Sequence, residues 1–183
     1  GINVDSYSFN DSPQDYFLYL GRINAEKGIL DALDIAKSAK VQLVVAGNIV
    51  GGDEWNYFFH EVQPQLDSEY IRFVGQVGFE EKVELFKNAR ALLFPINRRE
   101  PFGLVMIEAM ACGTPVIAYD MGSVREVVKN GETGFIVHSK EEMIAAISDI
   151  HKIKRANCRM HVENNFTLKG MVDTYEKIYE SIT

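Results

Sequence analysis

Residues 91–119 read ALLFPINRREPFGLVMIEAMACGTPVIAY. An apolar run (91–95) leads into a charged loop. An apolar stretch of helical length (103–112) follows, then a Gly-Thr-Pro break and a second apolar run (115–119). Neither short run alternates polar with apolar residues, as expected of strands covered on both faces. The unit is therefore strand, loop, helix, strand. Working outward, similar short runs occur at 16–20, 41–46, 71–74 and 134–137. Helical patterns lie between and after them, at 28–38, 53–66, 80–88, 123–129, 141–154 and 168–182. The first is expected to bury Ile29, Leu33 and Ala36. The second carries Trp55, Phe59, Val62 and Leu66 on one face. The fifth is expected to bury Ile144, Ile147 and Ile150, and the last carries Met171, Tyr175, Ile178 and Ile182. This alternation predicts an α/β, Rossmann-like, three-layer domain with a parallel sheet and helices on both faces. Ligands in such sheets sit at the carboxyl ends of the strands, so the loops after residues 20, 46, 74, 95 and 119 matter most.

The chain has 183 residues, 46% of them hydrophobic and 25% charged, with a formal net charge of −7. The size and composition fit one globular unit over 1–183. The acidic balance argues against nucleic acid as a partner, and any anionic ligand needs a local cationic patch. Cys112 and Cys158 have neither CxxC nor metal-ligand spacing, and a reducing cytoplasm is the expected setting. Cys112 lies in an apolar run and reads as a small buried hydrophobe. No apolar run approaches the ~20 residues of a membrane span, and no stretch reads as a signal peptide. His60, His138, His151 and His161 are scattered, and no Asp-x-Asp pair is present, so no metal is expected. Residues 47–52, GNIVGG, lack GxGxxG spacing, which argues against a nicotinamide cofactor.

Two loops carry chemistry. After the first strand comes Gly21-Arg22-Ile23-Asn24-Ala25-Glu26-Lys27-Gly28. Arg22 offers a planar fork and Lys27 a point charge, the means of stabilising a departing diphosphate. Alone, such a pair would read as solvated surface cations. The second loop runs from Ile96 through Arg98, Arg99 and Glu100 to Phe102. A helix begins near Gly103 with no Ser, Thr, Asp or Asn before it to cap the first amides. Bare N–H groups and the positive helix end make an anion site, and Gly103 permits close approach. Glu108 falls in the second turn, ~7.5 Å along the axis. A diphosphate seated at the helix start would put its ribose there, where a carboxylate can accept from both ribose hydroxyls. Glu100 stands on the other side of the phosphates, toward a donor sugar. Arg98 and Arg99 read as surface cations.

Taken together these segments resemble the retaining glycosyltransferases of family 4, within the two-domain GT-B architecture. Glu100 and Glu108 match the E-x7-E motif in the context EPFGLVMIEAMACGTPVIA, followed by GSVREVV and NGETGFIV. Residues 21–28 match the GR-x4-KG phosphate loop, and Phe73-Val74-Gly75-Gln76-Val77 resembles the strand and turn that hold the base. The likeness runs from the first strand to the last helix. It implies diphosphate binding by Arg22, Lys27 and the amides of Gly103 and Leu104, with Gly21 and Val105 also among the donor-binding residues. It also implies a sugar pocket lined by Phe102 and Gly103, sugar contacts from Glu100, ribose contact from Glu108, base reading at the Val77 backbone, and assistance from Lys82. Glu100, Arg22 and Lys27 are the expected catalytic groups. The implied substrate is a UDP- or GDP-linked sugar, with no cofactor. Residues 1–5 resemble the stretch after the interdomain hinge, with Asn3 where the family often has Asp. The resemblance thus makes 1–14 a post-hinge segment and 166–183 a C-terminal helix that packs on an N-terminal acceptor domain not contained in these residues. Any membrane association would come through that half. Without it, the apolar face of the last helix is expected to be exposed or repacked. A free-standing nucleotide-binding or regulatory module, or another GT-B reaction such as epimerisation or phosphorolysis, are the alternatives.

Overall fold

The computed structural model describes residues 1–66 and 69–182. One sheet contains β1 (Phe17–Leu20), β2 (Leu43–Ala46), β3 (Ile71–Gly75), β4 (Leu92–Phe94), β5 (Val116–Tyr119) and β6 (Gly134–Val137). Their order is β3-β2-β1-β4-β5-β6, and every pairing is parallel. Phe17 stands opposite Leu43, and Leu18 opposite Leu92. Parallel neighbours cannot be joined by a tight turn, so each crossover carries a helix. These are α1 (Ile29–Ala39), α2 (Gly51–Tyr57), α3 (Phe79–Asn88), α4 (Leu104–Ala111) and the single turn α5 (Val124–Val127). Beyond β6 come α6 (Lys140–Asp149), α7 (Arg155–Asn165) and α8 (Leu168–Ile182). α1 packs with α6, while α4 packs with α3 and α7. The four central strands β2, β1, β4 and β5 are buried almost throughout, which requires cover on both faces, while the edge strands β3 and β6 are partly exposed. The expected Rossmann-like layering is therefore present. The chain reverses direction across the sheet between β1 and β4. That reversal opens a crevice at their carboxyl ends.

All six expected strands form, each within a residue or two of the range read from sequence. Ile29, Leu33 and Ala36 are buried as expected. Four details differ. The helix expected over 53–66 ends as α2 at Tyr57 and continues as a wide π turn, Phe58–Val62, then a 3-10 turn, Gln63–Gln65. Its inward residues are Phe58 and Val62, while Trp55 and Phe59 are 45% and 51% exposed. Adjacent Phe58 and Phe59 offer two possible apolar stripes, and Phe58 packs on Phe73, with ring centroids 5.2 Å apart. The helix expected over 141–154 stops at Asp149, and Met143 takes the buried place while Ile144 is only half-buried. The helix expected over 123–129 is reduced to the single turn α5. The fourth difference is α7, which the apolar pattern did not reveal.

α7 is polar along most of its length and buries only Arg155, Cys158 and Val162. Arg155 is 7% exposed. Its Nε donates to the Asn10 carbonyl (2.6 Å), Nη1 to Ala89 (2.8 Å), and Nη2 to Lys87 and to Thr114 Oγ1 (2.8 Å each). One turn on, Arg159 Nη1 donates to the carbonyls of Tyr7 (2.6 Å) and Ala111 (2.8 Å). The two arginines fasten the amino-terminal segment to α4 and to the α3–β4 connection. In that segment Val4–Ser6 forms one 3-10 turn, and Ile2 bridges to Thr167. Phe166 and Thr167, placed in the final helix by the family resemblance, precede it, and Thr183 lies outside the described residues. The apolar face of α8, including Met171, Tyr175, Ile178 and Ile182, is exposed.

Candidate functional site

The loop after β1 is held open by local hydrogen bonds. Asn24 accepts the Lys27 N–H (3.1 Å) and starts the 3-10 turn Ala25–Lys27. The buried Tyr19 hydroxyl points at the carbonyls of Arg22 (3.0 Å) and Lys27 (3.3 Å) from below. Gly28 ends the loop at φ +71°, and a Cβ there would lie 1.7 Å from the Pro95 carbonyl oxygen. Only glycine lets the loops after β1 and β4 press together this closely. Asn97 N–H donates to the Glu26 carbonyl (3.0 Å), a second tie between them. Across this seam, Lys27 Nζ meets Glu100 Oε2 at 2.6 Å. Arg22 instead turns to Glu54 of α2, with Nη2 2.6 Å from Oε1. Glu54 also accepts from the Asn24 amide (3.0 Å) and the Val50 N–H (2.7 Å). Burial alone would raise the Glu54 pKa, but these donors outweigh it and hold the carboxyl below its usual range.

The start of α4 matches the sequence expectation. Gly103 is the N-cap at φ +77°, with no side-chain cap. Among the described residues, no acceptor takes the N–H of Gly103, Leu104 or Val105. The preceding loop is pinned by Ser123, whose N–H donates to the Glu100 carbonyl (3.0 Å) and whose Oγ donates to the Phe102 carbonyl (2.8 Å). A cavity of about 400 Å³ opens here, lined by Gly21, Arg22, Lys27, Glu100, Phe102 and Gly103, with Leu104 and Val105 at the helix end. These eight residues come from two loops distant in sequence and meet at the sheet's switch point. Arg98 pairs with Glu26 (2.7 Å) on the exposed outer side, in keeping with a surface cation.

The remaining three expected residues do not line that cavity. Lys82, in the first turns of α3, has its Nζ 2.7 Å from Glu108 Oε1. The same oxygen accepts from the Tyr7 hydroxyl at 2.9 Å. Tyr7 meets Phe79 edge-on, with centroids 5.4 Å apart, and Lys82 Nζ lies 5.4 Å from the same ring centroid. Val77 lies in the turn before α3 and lines a separate cavity of about 490 Å³ with Tyr16, Arg72 and Glu80. Tyr7 and Glu54 are contacts the sequence reading missed. Tyr7 lies in a segment read only as post-hinge chain, and Glu54 in a helix read only for its apolar face.

Other candidates are accounted for. Cys112 and Cys158 are buried, and burial pushes both thiols up to about 12, so they stay protonated at neutral pH. Among the described residues no group of three or more His, Cys, Asp or Glu side chains is gathered to hold a metal. Among them, too, no helix is long and apolar enough to cross a membrane. A cavity of about 460 Å³ at the amino ends of the strands is lined by Arg90, His151, Lys154 and Arg155. Its arginines are already engaged, Arg90 by Asp15 and Arg155 by backbone carbonyls and Thr114.

Comparison with known proteins gives a consistent result. The family described as "Glycosyl transferases group 1" matches residues 6–166. A phosphatidyl-myo-inositol mannosyltransferase of Mycobacterium leprae is 36% identical over 163 residues, which is 81% of this chain and 41% of that protein. The structure of sucrose-phosphate synthase from Thermosynechococcus elongatus superposes with a TM-score of 0.84 at 27% identity, covering 100% of this chain and 51% of that one. Anabaena HepE, solved in complex with UDP and glucose, superposes with a TM-score of 0.81 at 20% identity, covering 99% and 55%. The chain thus spans about half the length of these relatives.

Proposed function

The chain belongs to the glycosyl transferases group 1 family, and from that premise we propose that it forms the nucleotide-sugar-binding part of a retaining, metal-independent glycosyltransferase. The donor is a UDP- or GDP-linked sugar. One observation carries the reading. Two cations from the β1 loop and the bare amides of α4 open onto one cavity at the sheet's switch point. The family relationship and the UDP bound by a protein of the same fold support it.

In this reading the diphosphate sits on the amides of Gly103, Leu104 and Val105, with Gly21 giving room for it. Arg22 and Lys27 neutralise it. As the bond between the anomeric carbon and the phosphate oxygen breaks, negative charge gathers on the departing diphosphate. Fixed donors aimed at that charge lower the barrier without a metal. The cations begin paired with carboxylates. A diphosphate that takes Lys27 releases Glu100 to accept from donor-sugar hydroxyls, with Phe102 beside them. Glu108 accepts from the ribose, supported by Lys82, and the Val77 backbone reads the base. The acceptor is held by a second domain, against which the apolar face of α8 packs. Two buried, unpaired thiols suit a reducing cytoplasm.

Titration calorimetry with UDP and GDP tests the binding step. Saturable binding of at least one, weakened by Lys27→Ala, is expected. No binding of either nucleotide overturns the reading. Product anomers, followed with a donor and acceptor on a protein carrying both domains, test retention.

A further inference from the structure

The Glu108 carboxylate is used on one side only. Its Oε1 takes Lys82 Nζ at 2.7 Å and the Tyr7 hydroxyl at 2.9 Å. Among the described residues, none donates to Oε2. A glutamate's terminal torsion is broad, so one partner would leave the carboxylate free to rock. Two donors converging from different elements fix its plane. Lys82 sits on a flexible four-carbon stem, whereas a phenol has only two side-chain torsions.

Tyr7 is itself held at three points. Its hydroxyl meets Glu108, its ring lies edge-on to Phe79, and its carbonyl accepts from Arg159 at 2.6 Å. Arg159 ties that carbonyl to the end of α4, the helix that bears Glu108. The hydroxyl therefore cannot follow the carboxylate if the latter turns. Burial, then the neighbouring Glu108 charge, push the Tyr7 hydroxyl well above its usual range, so it remains a donor at neutral pH.

We propose that Tyr7 is a positioning residue for ribose recognition: with Lys82 it fixes one oxygen of Glu108, leaving the other oriented toward the vicinal diol of a bound nucleotide. The inference rests on the reading of Glu108 as the ribose carboxylate. It adds a selectivity for ribose over 2′-deoxyribose that passes through a residue of the amino-terminal segment.

The test compares UDP with 2′-deoxy-UDP by calorimetry, or GDP with 2′-deoxy-GDP if guanine binds more tightly. Native protein and the Tyr7→Phe variant, which keeps the ring against Phe79, are measured together with their Tm. The ribose form should bind the native protein more tightly. Y7F should weaken its binding by about fivefold, the net worth of one ordinary hydrogen bond, and leave the deoxy form essentially unchanged. On a Glu108→Gln background, Y7F should no longer alter the ratio. Equal loss of both ligands would show a general structural role and overturn the proposal. An unchanged ratio, or a native protein indifferent to the 2′-hydroxyl, would overturn it while leaving diphosphate binding intact. Failure of the native protein to bind either nucleotide would remove the functional reading itself.

Discussion

Lys27 Nζ lies 2.6 Å from Glu100 Oε2, joining the loop after β1 to the loop before α4. The pair is half-buried and spans the point where strand order reverses. In the proposed function its two members separate, one to phosphate and one to sugar. Lys27→Ala should therefore weaken nucleoside diphosphate binding by ~1.5–3 kcal/mol, the range for a charge-assisted contact. Glu100→Gln should retain diphosphate binding and lose the added affinity of the sugar-linked nucleotide. Calorimetry with UDP and a UDP-sugar, or the guanosine pair, separates the two. Equal affinity of E100Q and native protein for the sugar nucleotide would contradict the role given to Glu100.

Gly28 is where the two loops touch. An added methyl would meet the Pro95 carbonyl, and φ +71° is strained for alanine. Gly28→Ala should cost on the order of 2 kcal/mol of stability and also reduce nucleotide affinity. Urea unfolding and calorimetry on the same sample measure both. A loss of stability with full affinity would show that loop contact does not shape the cavity.

Replacing an ordinary surface cation costs less than ~0.5 kcal/mol, but Arg155 is 7% exposed. In the fold it serves three backbone carbonyls and Thr114. Arg155→Met keeps much of the stem but strands those acceptors, so a loss on the order of 3 kcal/mol is expected in urea unfolding. A near-neutral result would mean that water replaces the guanidinium.

Glu54, held chiefly by the Asn24 amide and the Val50 N–H and then by Arg22, has a pH signature. Glu54 titrates lower in the folded protein than in the unfolded chain. Its contribution is fully present above the unfolded value of about 4.3 and is lost as pH falls through the folded value. Asp120 behaves likewise, held low chiefly by its hydrogen bond from Arg125. Urea midpoints measured from neutral pH down through that window should therefore fall. Glu54→Gln should flatten that fall while leaving the neutral-to-alkaline range unchanged. An identical acid slope in the variant would show that these hydrogen bonds to the Glu54 carboxylate add nothing to stability.

The sequence by itself determined the six strands and most helices, because apolar periodicity and run length are local properties. It also determined the uncapped start of α4, since the lack of a capping side chain before Gly103 is visible in the residue order. The family likeness carried the same residues further, to the nucleotide-sugar site proposed above. Tertiary structure alone decided the partners. Lys27 and Glu100 are 73 residues apart, and Tyr7 and Glu108 are 101 apart, so strand order and helix packing bring them together. It also decided that Phe58, not Phe59, faces inward, where a wide turn and contact with Phe73 settle what two adjacent aromatics leave open. Helix α7 escaped the pattern because its buried anchor is an arginine. Its burial depends on carbonyls from distant segments, and no local property of the residues around it records them.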